Sequence, residues 1–514
     1  MGGLLGRMIS VAPSSSSSSS PPSPSLDDKK KKKTIHNKSN NMSNMIYLNH
    51  AGQAPWSAAT QQAGLNAVHT NPWDSVAAAN EASNQVRQRF ARLLTIVESH
   101  DDDNDGSSSS SRIPPQDCIA LLPSTAFAMT LAAHNLVRMR RQRDEQDANL
   151  NNSKQQQQPQ ARQRHKVLLL QDQYPSVVYP WQEICNLHPD EWSICVVPYP
   201  QDTDGSSSCW TDAILQQLDA DPDISVVSLP PLHWADGRAI DLERVAQAIR
   251  QKEQQQQTKI DLIIDATQAV GIFPLRGNFL SHATLIACSA HKWLRGPSGV
   301  CCCYIHPLVH DEWQPLDQHE RARNVDGATL LAGKYAMDPQ TGYYPQEFVT
   351  TARKFDSGGK SHPILLPMLA SSLEQVVQKC ESCPLPLQQE ELRLLMMPLM
   401  EWCRHHGWVV RDFDEDVVVD RSNDNNNNQR QQTPPRRRAY HLVGIDPPAE
   451  WNLTPQQLVQ ICQDLYQQHN IIVAARCGGL RISPNVESTP PQHIEALMRA
   501  LEQVCSKYDN WTQT

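Results

Sequence analysis

Short apolar runs that recur between amphipathic segments constrain the fold of this chain more than any other feature. The runs are nearly continuous rather than alternating, which is typical of strands that helices cover on both faces. Strands that alternate with helices predict an α/β domain with a mostly parallel sheet, whose ligands bind beyond the carboxyl ends of the strands. The predicted strands are Val167–Leu170, Ile194–Val197, Ile224–Leu229, Leu262–Ile264, Leu285–Ala287 and Val300–Ile305.

The pattern changes after about residue 355, where longer helical stretches are followed by shorter strand candidates. We interpret residues 45–354 as a large α/β domain and residues 355–514 as a smaller α+β domain. Four polar tracts carry too little apolar surface to offset the entropy of ordering. We predict that these tracts are a disordered N-terminal segment and three disordered insertions, at 1–44, near 98–113, near 142–165 and near 421–438.

Composition argues against several classes of protein. A net charge of −9 is unlike that of a general nucleic-acid-binding protein. No apolar run approaches the roughly 20 residues needed to cross a bilayer. The fourteen cysteines follow no disulfide framework, so reduced thiols are expected, and Cys380 with Cys383 is too small a set to predict a metal. We expect a cytoplasmic protein, with organelle targeting as the alternative.

A lysine follows the end of a predicted buried strand in the segment LIACSAHKW, residues 285–293. Ser289 and His291 are two positions apart and therefore lie on one side of an extended chain, with Lys292 on the other. A buried, unpaired ammonium is costly, whereas a lysine amine in such a place can form a Schiff base. A surface lysine after a strand is the alternative, and this motif alone leaves both interpretations open.

A carboxylate ends another apolar strand in DLIIDATQAVG, residues 261–271. Asp265 stands where a carboxylate can pair with the protonated nitrogen of a bound ring. Gln268, three residues further on, can donate to an oxygen of such a ring. The alternative interpretation is that Asp265 caps a following helix.

Two hydroxyl residues stand where a helix should begin in LLPSTAFAMTLAAHNLV, residues 121–137. Ser124 and Thr125 precede apolar residues at helical spacing, and Ala126 follows them. Free backbone N–H groups and the positive end of the helix dipole make such a position a phosphate site. An ordinary N-cap is the alternative for either hydroxyl.

Along the chain the helix-start motif comes first, then the aspartate strand and then the lysine segment, and the three in that order resemble the class V aminotransferase family of enzymes that use pyridoxal 5′-phosphate (PLP). That family includes the cysteine desulfurases and isopenicillin N epimerase-like enzymes. The resemblance spans about residues 45–505 and implies a fold of the aspartate-aminotransferase type (fold type I) that works as a homodimer. Flanking segments that match are IYLNHAGQAP (46–55), DQYPSVVYPW (172–181), LHWADGRAIDL (232–242), RKFDSGGKSHP (353–363) and GGLRISPN (478–485).

The resemblance implies a role for each candidate residue. Lys292 would hold PLP as an internal aldimine and then act as general base and acid, with Asp265 beside the ring nitrogen. Tyr174 would stack on the ring, and His233 would reach ring and substrate. The other implied cofactor residues are Ser124, Thr125, Ala126, Gln268, Ser289 and His291, and the implied substrate residues are Arg481, Asn49 and His50.

Two departures from the family bear on the reaction. Gly359 stands where many relatives use a threonine to reach the neighbouring subunit's phosphate, so a backbone N–H or Ser361 would have to serve. Desulfurases carry a nucleophilic cysteine on a mobile loop before the carboxylate arginine, but here Cys477 lies too close to Arg481 for such a loop. We therefore predict transamination of an amino acid or related amine. Desulfurase or selenocysteine lyase-like cleavage, epimerisation and a catalytically silent dimeric scaffold are the alternatives.

Overall fold

The structure is a computed structural model that describes residues 45–96, 115–152, 164–200, 209–275, 279–324, 332, 337–411 and 438–509. The N-terminal segment 1–44 and most of the tracts near 98–113, 142–165 and 421–438 lie outside the described residues, so their disorder stays a prediction. One helix extends to Asn152, and so into the tract near 142–165. Among the described helices, none has the length and apolarity needed to cross a membrane.

Helices and strands alternate through the first two thirds of the described chain. The helices are α1 Ala58–His69, α2 Pro72–Leu94, α3 Thr125–Asn152, α4 Pro175–Leu187, α5 Trp210–Ala220, α6 Leu242–Gln256, α7 Leu365–Ser382, α8 Leu385–His405, α9 Pro455–His469 and α10 Pro491–Asp509. The strands are β1 Ile46–Tyr47, β2 Ile119–Leu122, β3 His165–Leu170, β4 Trp192–Val197, β5 Ile224–Leu229, β6 Asp261–Asp265, β7 Ala283–Ser289, β8 Cys301–Ile305, β9 Val409–Val410, β10 Val443–Asp446, β11 Ile471–Ile472, β12 Ala474–Arg476 and β13 Gly479–Ile482.

Seven strands form the central sheet, in the order β2-β8-β7-β6-β5-β3-β4. Every neighbouring pair from β7 to β4 is parallel, whereas β8 is antiparallel to both β7 and β2. Strand β2 therefore runs in the same direction as the parallel strands, and the carboxyl ends of six strands meet at one edge. The predicted mostly parallel sheet is confirmed, and the six predicted apolar runs are β3 to β8.

Both faces of this sheet are covered, which explains why the apolar residues of its strands form nearly continuous runs in the sequence. All residues of β5, β7 and β8 are buried. One core cluster joins the sheet to α2, α5, α6 and α7, and a second joins it to α3 and α4. A strand covered on both faces loses water from every side chain, so alternation has no advantage there.

A second layer contains the four-stranded sheet β12-β13-β10-β9 and the strand pair β1-β11. Its core includes residues of α8, α9 and α10 together with Leu48, which follows β1. Helix α7, in contrast, packs on α1 and α2 of the large layer. The domain boundary at 354 stays a prediction. Leu48 lies before residue 354 but packs in the second layer, and helix α7 lies after it but packs on the large layer, because packing depends on distance in space rather than in sequence.

Candidate active site

Most of the predicted chemistry lies beyond the carboxyl ends of the central strands. Tyr174 follows β3, Asp265 ends β6, and Lys292 comes three residues after β7. Thr125 begins the helix that follows β2. Because these four strands point the same way, their ends bring the four residues to one edge of the sheet.

The strand register places three hydroxyl groups in contact. Leu122 of β2 and Ser289 of β7 both pair with Cys301 of β8, so the chain after β2 starts beside the end of β7. The Oγ atoms of Thr125 and Ser289 lie 2.7 Å apart. Thr267 joins them, because its Oγ1 lies 3.3 Å from that of Thr125 and accepts from the Ser289 N–H at 3.1 Å.

The N-terminus of α3 opens into this hydroxyl cluster. The Ser124 Oγ accepts from the Phe127 N–H at 3.1 Å, so the capping interpretation holds for this residue. The N–H groups of Thr125 and Ala126 lie in the first helical turn, where a helix offers no internal acceptors. With the dipole of a long helix behind them, these groups form a candidate site for an anion such as a phosphate.

Lys292 lies in an environment that favours a neutral amine. Burial lowers the pKa of its ammonium to about 8, although the Asp265 carboxylate acts in the opposite direction. Its Nζ lies 5.1 Å from the centre of the Tyr174 ring. An amine that loses its proton this close to neutral pH is a nucleophile, whereas an ordinary lysine is almost entirely protonated.

Asp265 is a carboxylate whose charge is only partly compensated. Burial raises its pKa, and hydrogen bonding to Thr267 and the charge of Lys292 oppose that rise. Its Oδ1 accepts from the Thr267 N–H at 3.1 Å. The residues after it form a turn rather than a helix, and no ammonium or guanidinium of the described chain lies within 4.0 Å of it. A cationic ring would supply the missing counter-charge.

Gln268 and His291 are the two further residues of these motifs. The Gln268 Nε2 donates to the Ala51 carbonyl at 3.1 Å, and its Oε1 accepts from the Trp293 indole at 2.8 Å. This side chain thus joins the N-terminal loop to the lysine segment, and a contact with a cofactor stays a prediction. Burial, followed by the charge of Lys292, lowers the pKa of His291 to about 4, so its ring is neutral at physiological pH.

Arg481 is a buried guanidinium on β13. Its Nη1 donates to the Trp234 carbonyl at 3.0 Å and its Nη2 to the Asn49 Oδ1 at 3.2 Å. Its Nε has no partner within the described residues. Burial, and then the charge of Arg476, lower its pKa to about 9. Desolvating a cation without a carboxylate partner is unfavourable, which is typical of a site that awaits an anionic ligand.

Two predicted histidines are held by structural contacts. His233 is fully buried, with its Nε2 3.3 Å from the Gln171 carbonyl and its Nδ1 3.5 Å from a carboxylate oxygen of Asp236. His50 is also buried, and its two ring nitrogens lie 3.2 Å from the Ser483 carbonyl and 3.3 Å from the Ser488 hydroxyl. The chemical roles assigned to both stay predictions.

The segment that contains Gly359 and Ser361 forms a glycine turn. Gly358 and Gly359 both have positive φ, of 83° and 63°. The Gly358 N–H donates to the Asp317 carboxylate at 2.7 Å. A role toward a neighbouring subunit stays a prediction for this turn.

Trp234 is one of the site residues that sequence reasoning missed, together with Thr267 and Arg476. Its indole N–H donates to the Asp172 carbonyl at 2.7 Å, and its ring lies edge-on to Tyr174 at 5.4 Å. The guanidinium carbons of Arg476 and Arg481 each lie 5.8 Å from its ring centre. The chain turns at Trp234, so the alternation of an extended strand does not decide which of His233 and Trp234 faces the site, and the sequence carries no signal for it.

The connection between β12 and β13 is a two-residue hairpin loop. Arg476 pairs with Gly479, so only Cys477 and Gly478 lie between the strands. Both have positive φ, of 48° and 85°, as a tight hairpin of this kind requires. The predicted absence of a mobile thiol loop before Arg481 is therefore confirmed. Burial raises the pKa of the Cys477 thiol to about 11, with a further contribution from Asp172.

The fold is that of the PLP enzymes called fold type I, with a large mixed, mostly parallel sheet, as predicted. The family model for Aminotransferase class-V matches residues 149–322. The resemblance to the class V family, and PLP as the cofactor that this family implies, are thereby confirmed. Among curated proteins, no sequence matches this chain.

Solved structures with the same fold include two cysteine desulfurases and a cystine C-S lyase. The apo cysteine desulfurase from Thermococcus onnurineus NA1 is 14% identical, with 90% of this chain and 95% of that chain covered and a TM-score of 0.61. The Escherichia coli cysteine desulfurase CsdA is 13% identical over 90% and 96%, with a TM-score of 0.60. The cystine C-S lyase C-DES, bound to cysteine persulfide, is 15% identical over 90% and 98%, with a TM-score of 0.59. At these identities the likeness shows the fold alone.

Proposed function

We propose that this protein is a PLP-dependent enzyme that acts on an amino acid or related amine, with transamination as its reaction. One observation carries the proposal: a lysine amine whose pKa burial lowers to about 8 interacts electrostatically with the half-buried carboxylate of Asp265 and lies 5.1 Å from the centre of the Tyr174 ring. A chain with only a structural role gains nothing from burying these charges, because each costs free energy when it loses water.

The donor set of the site fits this cofactor. Lys292 would hold it covalently, Asp265 would pair with the ring nitrogen, and Tyr174 would stack on the ring. The first-turn N–H groups of α3 and the hydroxyl of Ser289 would bind the phosphate. When bound, PLP supplies an electron sink that makes a proton on the substrate's α-carbon acidic.

The chain's own residues would then bind the substrate and move that proton. Lys292 Nζ, once released by the substrate amine, is the base that accepts the α-proton and the acid that returns it to another carbon. Arg481 would bind the α-carboxylate, since its guanidinium has no carboxylate partner among the described residues. Trp234 and Tyr174 would cover the reacting atoms and limit the access of water.

The hairpin loop favours transamination over sulfur transfer. A persulfide-forming thiol must reach the substrate and ionise, but Cys477 is fixed between two paired strands and has a raised pKa. The structural relatives are named for desulfuration and C–S lysis, which keeps sulfur release as the second candidate. A lyase that needs no protein thiol would be compatible with the same hairpin.

Paired substitutions at the hairpin separate the two reactions. We expect Arg481→Ala to lower kcat/KM for amino acids by roughly 30-fold to several thousandfold, because a lost guanidinium–carboxylate pair costs about 2–5 kcal/mol. We expect Cys477→Ser to retain most activity. The assays are keto-acid production from a panel of amino acids and sulfide release from cysteine and cystine.

The two readouts have different consequences. Keto-acid production that survives Cys477→Ser and requires an added 2-oxo acid as amino acceptor supports a transaminase, because a lyase forms its keto acid with release of ammonia and needs no acceptor. Strong sulfide release that disappears in Cys477→Ser would contradict the transaminase proposal and indicate a desulfurase. Strong sulfide release that Cys477→Ser does not change would contradict it and indicate a lyase.

The lowered pKa of Lys292 predicts how cofactor attachment depends on pH. With a pKa of about 8, the neutral fraction rises about tenfold per unit below pH 8 and then levels off. We therefore expect the rate of PLP attachment to the apo-protein to follow that curve, measured by absorbance between pH 6 and 10. A free lysine derivative is the control, and its rate of reaction with PLP should go on rising with pH up to pH 10 and beyond. A protein curve that also rises past pH 10 would contradict the assigned environment.

A homodimer and a cytoplasmic location complete the proposal. Both derive from the family resemblance and from composition, and both stay predictions. Sedimentation of the purified protein tests the first, and localisation of the tagged full-length chain tests the second.

A further inference from the structure

A second guanidinium lies beside the one already assigned to the substrate carboxylate. Arg481 on β13 pairs with Ala474 of β12, and Arg476 is two residues further along β12. Paired residues and residues two apart share one face of a hairpin, so both arginines point to the same side. Both guanidinium carbons lie 5.8 Å from the ring centre of Trp234, which confirms that common direction.

Arg476 has no anionic partner within the described part of the chain. Its Nη1 donates to the carbonyl of Ala475, its own neighbour, at 2.7 Å. Arg411, which lies close by, shows the contrast: its guanidinium forms a bidentate pair with Asp446 and also donates to the Cys477 carbonyl. A guanidinium held against an aromatic ring with most of its donors unused is suited to an anionic ligand.

Positive charge at the site exceeds what one carboxylate would neutralise. Beyond the effect of burial, Arg481 and Arg476 lower the pKa of Lys292, and Arg476 lowers that of Arg481, so the three cations repel one another. The exposed Asp172 contributes to the raised pKa of Cys477 but lies within 4.0 Å of neither arginine. The other nearby carboxylates are already engaged, in the pairs Asp265–Thr267, Asp236–His233 and Asp446–Arg411.

We infer that Arg476 binds a second carboxylate of the substrate, so that the preferred substrates are dicarboxylic amino acids. This inference rests on the proposed function, because it takes Arg481 as the partner of the α-carboxylate. Arginines in a diagonal relation on adjacent strands have Cα atoms about 7–8 Å apart, and flexible side chains from that spacing can converge on the two ends of a short diacid. Trp234 then lies against both cations and fixes their spacing.

Calorimetry with unreactive ligands tests the inference apart from catalysis. Glutarate and butyrate are titrated into the PLP-loaded protein, and the readout is the ratio of their affinities. We expect wild type to prefer glutarate by about tenfold or more, and Arg476→Gln to reduce that ratio by a similar factor. Arg476→Lys, which keeps the charge, should retain part of it. Arg499→Gln, on the exposed face of α10, is the matched control and should leave the ratio unchanged.

Steady-state kinetics supply the second readout, as the ratio of kcat/KM for glutamate or aspartate to that for alanine. A fall in this ratio in Arg476→Gln, parallel to the fall in the binding ratio, supports the second carboxylate site. Equal affinity of wild type for glutarate and butyrate, or a ratio unaffected by Arg476→Gln, would overturn it. Should the ratio change while borohydride fixes no PLP on Lys292, the anion site stands and the proposed function fails.

Discussion

Replacing Lys292 by alanine is expected to lower turnover by at least about a thousandfold and to abolish the borohydride-fixed cofactor label. The amine has two tasks in the proposed reaction, covalent attachment and proton transfer, and positioned acid–base groups alone contribute on the order of 10²- to 10⁴-fold. Lys292→Arg should be equally inactive, since an arginine keeps the positive charge but cannot form the bond. The measurements are initial rates with the best amino acid and peptide mapping after borohydride reduction.

Lys259 provides the matched control for this experiment. It precedes β6 at the opposite edge of the same sheet, where its Nζ lies 3.2 Å from the Asp261 carboxylate. Lys259→Ala should retain both the label and the turnover. A label on a lysine other than Lys292, or undiminished turnover in Lys292→Ala, would overturn the proposed function as a whole.

Replacing Asp265 by asparagine is expected to lower kcat on the order of 10²- to 10³-fold while the cofactor stays bound. A neutral amide cannot hold a protonated ring nitrogen, so the electron sink is weakened although the site keeps its shape. The substitution Asp265→Asn preserves an Oδ1 that accepts from the Thr267 N–H. The free energy of unfolding should therefore stay within about 1 kcal/mol of wild type.

Asp265→Ala separates the electronic role from the local turn. It removes both the charge and the acceptor, and we expect it to weaken cofactor retention as well as turnover. Asp241→Asn is the control, because this aspartate caps α6 through its bond to the Arg244 N–H, distant from the cofactor edge in the chain's topology. Near-normal turnover in Asp265→Asn would contradict the electronic role and leave Asp265 with a structural role only, as the acceptor that stabilises the turn.

Most of the strands that position the site could be predicted, because each is marked by its own local sequence. The apolar runs that became β3 to β8 are long enough to be recognised without any tertiary information. Two strands that contribute to the site, β2 and β13, were not predicted. Strand β2 carries the same kind of short apolar run as β3 and β4 and was simply missed, whereas in β13 the buried Arg481 interrupts the apolar pattern that identifies the others.

Side-chain direction could not be predicted from the same local information. His233 and Trp234 are neighbours, and only the packing of Tyr199 and Trp210 around His233 decides that the histidine is buried and the tryptophan lies at the site. Likewise the contact of Thr125 with Ser289 depends on β8, which pairs with both β2 and β7. Pairings between distant segments leave no signal in a single sequence.

The sequence by itself determined the α/β class, the order of the lysine, aspartate and phosphate motifs, and the short link between Cys477 and Arg481. These are properties of consecutive residues, whose spacing and polarity fix local geometry. Only the tertiary structure decided which charged groups interact with one another. It set the lowered pKa of Lys292 and brought Arg476 to the same ring as Arg481, because burial and electrostatic interaction depend on distances between segments that are far apart in the chain.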